Sequence, residues 1–336
     1  MIRVVIGGQF GSEGKGSVTS WLARRCKLDL VIRIGSPNAG HTFEGPDGTI
    51  FKMRQLPCSW AFSNAPICIP ASAIVDAEVL LAELEMIRKG GYSGEVCISP
   101  LAAVIEDGHR MREDAILTGT VGTGTGAARA AKCLRQAKLI SEFPDFVQYA
   151  KQDYVEDVLA SPDSSILIET TQGFGLSLDG RYYPHCTSTN VDVYRALSDA
   201  GVPHGLHDIQ ALLVLRTFPI RIAGNSGPLF EETSWPRLRH LYGNHIPNEQ
   251  STVTQRTRRV GNWDSGAARS AIRYINPAQI FLTFVDYVFP DIVVGGIDVH
   301  VDAWLRFIEA SLERSIDWVG VGPGRIIDRK ALSEQT

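Results

Sequence analysis

The sequence predicts an α/β fold built on a large, mainly parallel sheet with helices on both faces. Three observations carry this. Short apolar runs alternate with helical patterns along the chain, polar or glycine-rich stretches follow several of the runs, and the chain opens on a strand–glycine turn–helix unit. The runs fall at residues 4–6, 30–34, 67–69, 96–98, 165–168, 211–215, 280–284 and 318–321. Helical patterns occupy 77–89, 146–159 and 267–275. No internal repeat, low-complexity linker or composition shift marks a boundary, so residues 1–336 read as one domain. The loops expected to gather ligands are 35–48, 118–126, 173–190 and 248–264, since open α/β sheets bind beyond the carboxyl ends of their strands.

Composition narrows the function classes. The 336 residues are 44% hydrophobic and 21% charged, as in an ordinary globular protein able to bury a large core. A formal charge of −4 gives no global basic field for nucleic acid or an anionic membrane, and neither is an expected partner. No apolar run reaches the roughly 18 residues of a membrane span. Met1 sits almost against the first strand, leaving no room for a signal peptide, so a cytoplasmic protein is expected. Cys26, Cys58, Cys68, Cys97, Cys133 and Cys186 are scattered without CxxC or zinc spacing, which reads as reduced thiols.

Four stretches carry chemistry. In "GSEGKGS" (residues 11–17) the glycines free backbone N–H groups at a helix N-terminus, and Lys15 places a point charge where β- and γ-phosphates sit. The usual phosphate loop has Gly-Lys-Ser/Thr, whereas here Gly14 and Lys15 are followed by Gly16. "NAGHT" (38–42) follows the second strand, and His41 offers an acid or electrophile. "TGTVGTGTGAARAAKCLR" (118–135) is a second glycine-rich turn opening a basic helix, which reads as a second phosphate site. "STVTQRTRRVGNWD" (251–264) sets arginines among threonines, a fit for a carboxylate-bearing substrate.

Together these stretches resemble the adenylosuccinate synthetase family, whose opening reads GDEGKGK. The resemblance continues in order through "NAGHT", "GTVGTGTG", "TQGFGLSLDGRYYPHCTSTN", the threonine–arginine loop and "GVGPGR" (320–325). It implies a two-step ligase: a nucleoside triphosphate phosphorylates the 6-oxygen of a purine nucleotide, and the amine of L-aspartate then displaces that phosphate. Lys15 would hold the transferring phosphate, with Gly11, Glu13, Gly14, Gly16, Ser17, Thr42, Arg258, Asp286 and Gly322 around the triphosphate. His41 would protonate or hydrogen-bond the 6-oxygen. Mg²⁺ would be the cofactor, bound through the Gly40 carbonyl and position 12. Asn38, Gln172 and Thr187 would contact the purine nucleotide, with Thr120 or Thr123 at its phosphate. Arg135 would reach that phosphate across a homodimer interface. Thr252, Val253, Thr254, Arg256 and Arg258 would grip aspartate, with Arg256 between the two substrates.

The departures are as informative as the matches. Ser12 stands where the family has its catalytic aspartate, Phe284 replaces the lysine of a guanine-reading Thr-Lys-Leu-Asp, and Val121 replaces a phosphate-binding threonine. Serine at position 12 is the mark of a branch from bacteriophages that replace adenine by 2,6-diaminopurine, whose enzymes join aspartate to dGMP. The resemblance therefore implies dGMP as acceptor and ATP or dATP as donor, with Ser12 near the 2-amino group. Two other readings give different expectations: an ordinary synthetase acting on IMP, and a nucleotide-binding protein without catalysis.

Overall fold

A computed structural model describes residues 1–114, 119–205, 207–251, 254–292 and 298–330. The chain begins with β1 (Ile2–Gly7), α1 (Lys15–Arg25), β2 (Leu30–Arg33) and the hairpin β3 (His41–Glu44)/β4 (Ile50–Met53). It continues through β5 (Ile67–Ile69), β6 (Ile74–Val75), α2 (Ala77–Lys89), β7 (Val96–Ile98), β8 (Ala103–Val104), α3 (Asp107–Asp114) and α4 (Thr125–Cys133). Next come α5 (Tyr154–Leu159), β9 (Ile166–Gly173), α6 (Val193–Ala200), β10 (Ile209–Arg216), β11 (Ile220–Arg221) and β12 (Glu232–Thr233). The last elements are α7 (Trp235–Tyr242), β13 (Arg259–Gly261), α8 (Ser265–Ile275), β14 (Gln279–Thr283), α9 (Val299–Leu312), β15 (Trp318–Gly320) and β16 (Ile326–Asp328).

Nine strands form one sheet in the order β16-β15-β14-β10-β1-β9-β2-β5-β7. All its pairings are parallel except β15 with the edge strand β16. Parallel strands covered on both faces read as continuous apolar runs, which is how these strands appear in the sequence. Alternation within β1 sends Ile2, Val4 and Ile6 to one face, where α6, α8 and α9 cover the sheet. Val5 points the other way, onto Val18, Trp21 and Leu22 of α1. The helices thus lie on both faces, as predicted.

β1 lies between β9 and β10, with β2 and β5 beyond one and β14 beyond the other. The strand order reverses there, so loops from both halves converge at the carboxyl end of β1. Three local expectations are corrected. The single helix expected over 146–159 is a 3-10 turn (Pro144–Tyr149) followed by α5, because Lys151 N leaves the helical path to donate to Ile98 C=O at 3.1 Å. The strand expected over 280–284 stops at Thr283, since Phe284 takes a left-handed conformation (φ 60°). The run at 165–168 continues through Gly173, carrying Glu169 and Gln172 to the same end of the sheet.

Candidate active site

The opening turn is braced from inside. The fully buried Glu13 carboxylate accepts from Gln9 N (3.1 Å) and Gly11 N (2.8 Å) through Oε1, and from Lys15 Nζ (2.7 Å) through Oε2. Glu13 therefore faces the loop rather than a ligand and lines neither cavity described below, which corrects its expected place at the triphosphate. With both oxygens engaged, it is not a free base either. Gly14 enters α1 at φ 85°, a backbone conformation that favours glycine. Gly16 replaces the usual Ser/Thr because a Cβ there would lie 2.8 Å from the Thr42 carbonyl oxygen of the β3–β4 hairpin. Thr283 Oγ1 donates to Glu13 C=O at 2.7 Å and ties the loop to β14.

Two cavities meet at this turn. The smaller, about 150 Å³, is lined by Gly11, Asn38, Thr120, Val121, Gln172 and Thr187, among others. The larger, about 740 Å³, is lined by Gly14, Gly16, Ser17, Thr42, Phe284, Asp286 and Gly322, among others. Six residues line both: Ser12, Lys15, Gly40, His41, Ser251 and Arg258. The predicted acceptor and donor residues on these walls thus separate into two spaces, except that Gly11, expected at the triphosphate, lines the smaller one, and the three catalytic candidates stand on the wall between them. Ser12 (φ 59°), Gln172 (φ 64°) and Phe284 (φ 60°) are non-glycine residues in the left-handed region, and all three line a cavity. Such conformations cost about 1–3 kcal/mol each and cluster where ligands are held.

Behind His41 lies a buried charge network absent from the sequence reading. His41 Nδ1 sits 2.5 Å from Glu169 Oε1 and 2.5 Å from Arg33 Nη1, and Arg33 Nη1 donates to the same Glu169 oxygen at 2.5 Å. Cys58 N donates to Glu169 Oε2 at 2.8 Å. Burial, and after it the Arg33 charge, lower the His41 pKa from 6.5 to about 3, against the pull of Glu169. Burial works to raise Glu169, but Arg33, His41 and the Cys58 amide outweigh it and hold the carboxyl at about 2. Burial and the Arg33 charge both favour the neutral His41 imidazole, which suits the hydrogen-bonding part of its expected role. Its Nδ1 is engaged, leaving Nε2 for a ligand. His41, Cys58 and Glu169 offer ligand atoms within 4.8 Å of one another, but Arg33 already supplies the positive charge at that place.

Ser12 is gripped by two arginines. Arg258 Nη1 donates to its hydroxyl, and Arg216 Nη1 donates to its carbonyl at 3.0 Å. Arg216 is fully buried, pairs with Glu249, and lies 4.0 Å over the Phe284 ring. Asp286, in the same wall as Phe284, is pushed by burial from 3.8 up to about 6, and its Oδ1 is buried without a hydrogen-bond partner. For a divalent cation, the hard oxygens on the shared wall are the Gly40 carbonyl and the Ser12 hydroxyl, the latter already accepting from Arg258. That set suits Mg²⁺ taking most of its ligands from phosphates and water.

The second glycine-rich turn differs from expectation. Glu113 takes the amides at the start of α4, with Gly124 N at 2.8 Å and Gly126 N at 2.5 Å, so these are not free for a phosphate. Thr123 is buried against Thr125, whereas Thr120 and Val121 reach the smaller cavity. In the arginine loop, Ser251 N donates to Arg256 C=O at 2.9 Å and Gln250 pairs with Thr257. This turn leaves Arg256 exposed and off both cavity walls, whereas Arg258 lines both. Thr254 packs on Ser251 through its amide and hydroxyl, and Thr252 and Val253 lie outside the described residues. Arg135 is exposed and lines neither cavity of its own chain.

Fold and site together define a phosphate-loop nucleotide enzyme with two adjoining ligand spaces. The sequence profile of the adenylosuccinate synthetase family matches residues 4–152 and 144–296. The adenylosuccinate synthetase of Thermococcus sibiricus is 34% identical over 292 residues, covering 84% of this chain and 83% of that protein. The N6-succino-2-amino-2'-deoxyadenylate synthase of Vibrio phage phiVC8 is 31% identical over 342 residues, covering 96% of each. The succinoaminodeoxyadenylate synthetase of cyanophage S-2L, solved with dGMP and with dATP as energy donor, superposes with a TM-score of 0.85 at 25% identity, covering 99% of this chain and 97% of that one. The chain belongs to the adenylosuccinate synthetase family of carbon–nitrogen bond-forming ligases. Its likeness to both phage enzymes, to one in sequence and to the other in structure, supports the phage-type branch that Ser12 pointed to.

Proposed function

We propose that the chain joins L-aspartate to dGMP at the expense of ATP or dATP, giving N6-succino-2-amino-2'-deoxyadenylate. The observation that carries this is the pair of cavities meeting at Ser12, Lys15, Gly40 and His41. The triphosphate occupies the larger space with its γ-phosphate at Lys15, and dGMP occupies the smaller with its 6-oxygen at the shared wall. The guanine 6-oxygen attacks the γ-phosphorus as the N1 proton is lost to water, and the nucleoside diphosphate leaves. The aspartate amine then forms the C6–N bond as the C6–O bond to phosphate breaks. With Nδ1 held by Arg33 and Glu169, His41 presents Nε2 to the 6-oxygen and its departing phosphate.

Asn38, Gln172, Thr187 and Thr120 contact the nucleotide with Gly11 beside them, and Gly14, Gly16, Ser17, Thr42, Asp286 and Gly322 surround the donor. Arg258 and the 251–258 loop take aspartate, with Arg256 closing over it when bound. Ser12, smaller than a carboxylate, leaves space for the 2-amino group of guanine and offers it an acceptor. The Gly40 carbonyl, with Ser12 beside it, would hold Mg²⁺, which would supply charge neutralisation on the phosphates. Phe284 stacks on a purine without reading its edge, which supports an adenine donor. The cyanophage enzyme solved with dGMP and dATP supports the same pairing of substrates. Exposed and remote from its own cavities, Arg135 suits a homodimer in which it reaches the partner's nucleotide phosphate.

The test offers dGMP, GMP or IMP in turn with Mg²⁺, ATP and aspartate, and looks for a succinylated nucleotide. Product from dGMP is expected. Product from IMP alone supports an ordinary synthetase, and none from any nucleotide supports a binding protein.

A further inference from the structure

Ser12 and Phe284, two of the positions that set this chain apart from its family, touch one guanidinium. Arg216 donates from Nη1 to the Ser12 carbonyl at 3.0 Å, while its Cζ lies 4.0 Å over the Phe284 ring. The residue is fully buried at the end of β10, its amide and carbonyl locked to the Gln9 side chain at 2.9 and 3.0 Å. It has no room to turn away from either contact. Its counter-ion Glu249 accepts from both Arg216 Nη atoms and from Tyr287 Oη at 3.1 Å. Arg258 reaches the Ser12 hydroxyl from its other side. Two guanidiniums therefore converge on Ser12, and Glu249 is the carboxylate that both feel.

We infer that Arg216 makes positions 12 and 284 a single specificity element, in which a charge at one position must be matched by the opposite charge at the other. A carboxylate at position 12 meets Arg258, which lines the larger cavity, and draws it away from a ligand there, while Arg216, fixed on the position-12 carbonyl, feels the added charge at close range. An ammonium at position 284 replaces the aromatic face under the fully buried Arg216 guanidinium with a like charge. Either change alone shifts the local charge by one unit, and the two together return it to its starting value. Neutral Ser12 and Phe284, standing where the family has an aspartate and a lysine, are thus one linked change rather than two separate losses. The readout below rests on the reading that the larger cavity takes a nucleoside triphosphate.

A double-variant cycle tests it: wild type, Ser12→Asp, Phe284→Lys and the double variant, titrated calorimetrically with a non-hydrolysable ATP analogue and Mg²⁺. Each single change is expected to weaken binding by roughly 10-fold or more, and the double to fall short of the product of the two by about 10-fold. Phe284→Met, which removes the ring without adding charge, should instead combine with Ser12→Asp multiplicatively. In an Arg216→Lys background, which keeps the charge but loses the planar stack, the coupling should shrink. Multiplying effects in the Asp/Lys pair, or single changes without effect, overturn the inference. If the wild type binds no ATP analogue, the donor reading fails, and the same cycle is read in thermal unfolding. There the double variant must recover stability lost by the singles. A single variant that cannot fold while the double folds is the same recovery; a double no more stable than its worse single overturns the inference.

Discussion

The two glycine-rich turns look alike in sequence and are put to different use. Each leads into a helix through a left-handed glycine, Gly14 (φ 85°) before α1 and Gly124 (φ 82°) before α4. Each is braced by a buried glutamate that accepts two backbone amides, Glu13 in the first and Glu113 in the second. Glu13 takes amides ahead of its helix and is neutralised by Lys15, so Gly14, Gly16 and Ser17 remain on the wall of the larger cavity. Glu113 takes the amides of the helix N-terminus itself, and only residues 119–121 of its turn reach the smaller cavity. A glycine-rich turn is a phosphate site only where no side-chain anion has already claimed the helix end. The positive end of a helix dipole serves whichever anion reaches it.

The sharpest way to break this contrast is Glu13→Gln. Removing one member of a buried ion pair leaves Lys15 uncompensated, a loss of about 3–5 kcal/mol. Chemical denaturation should show it; a midpoint near wild type means the first turn does not depend on its internal anion. Lys15→Ala comes next. Preorganised charge on a transferring phosphoryl group is worth about 3–4 kcal/mol, so turnover should fall roughly two to three orders of magnitude in a folded variant. Near-normal turnover would return the first turn to a purely structural role.

Glu113→Ala probes the second turn. Loss of a helix-end acceptor costs about 0.5–2 kcal/mol, and the loosened 119–124 segment should raise the KM for dGMP while that for ATP stays put. An equal rise for both substrates would mean the two turns do not serve separate cavities. The smallest effect is expected on the donor base. A carboxylate offers two acceptors and suits guanine, whereas a protonated acid offers a donor and an acceptor and suits adenine. With Asp286 pushed up to about 6 by burial, the ratio of ATP to GTP use should rise as pH falls through that value. Asp286→Asn, a fixed donor–acceptor, should prefer ATP by about 10-fold at every pH, the worth of one or two hydrogen bonds. A pH-independent ratio in the wild type would take Asp286 away from the donor base.

Much of the site was legible as residue types in short stretches. Ser12, Lys15, Asn38, Gly40, His41, Gln172, Thr187 and Asp286 all line a cavity. The buried partners that hold them were not legible, although each left a trace. Arg33, Glu169 and Arg216 are charges inside or at the end of apolar strand runs, in "LVIR", "ILIE" and "LLVLR". A charge so placed is either at the exposed end of a strand or buried with a partner, and only the packing of the neighbouring strands decides which. Which of Arg256 and Arg258 lines the cavities was not legible for the same reason. Both sit in one polar loop, and the turn closed by Ser251 and Arg256 determines which reaches Ser12.

By itself the sequence determined the α/β alternation, the strand–turn–helix opening and the set of polar loops at the strand ends. Those follow from apolar periodicity and glycine conformation, which act over a few residues. Tertiary structure alone decided which amides stay open, which histidine nitrogen is free and which cations meet Ser12. Arg216 and Arg258 lie 204 and 246 positions from Ser12 along the chain. Contacts at that separation exist only after the sheet has set β1 beside β9 and β10 and buried their charged ends, where each must find its partner.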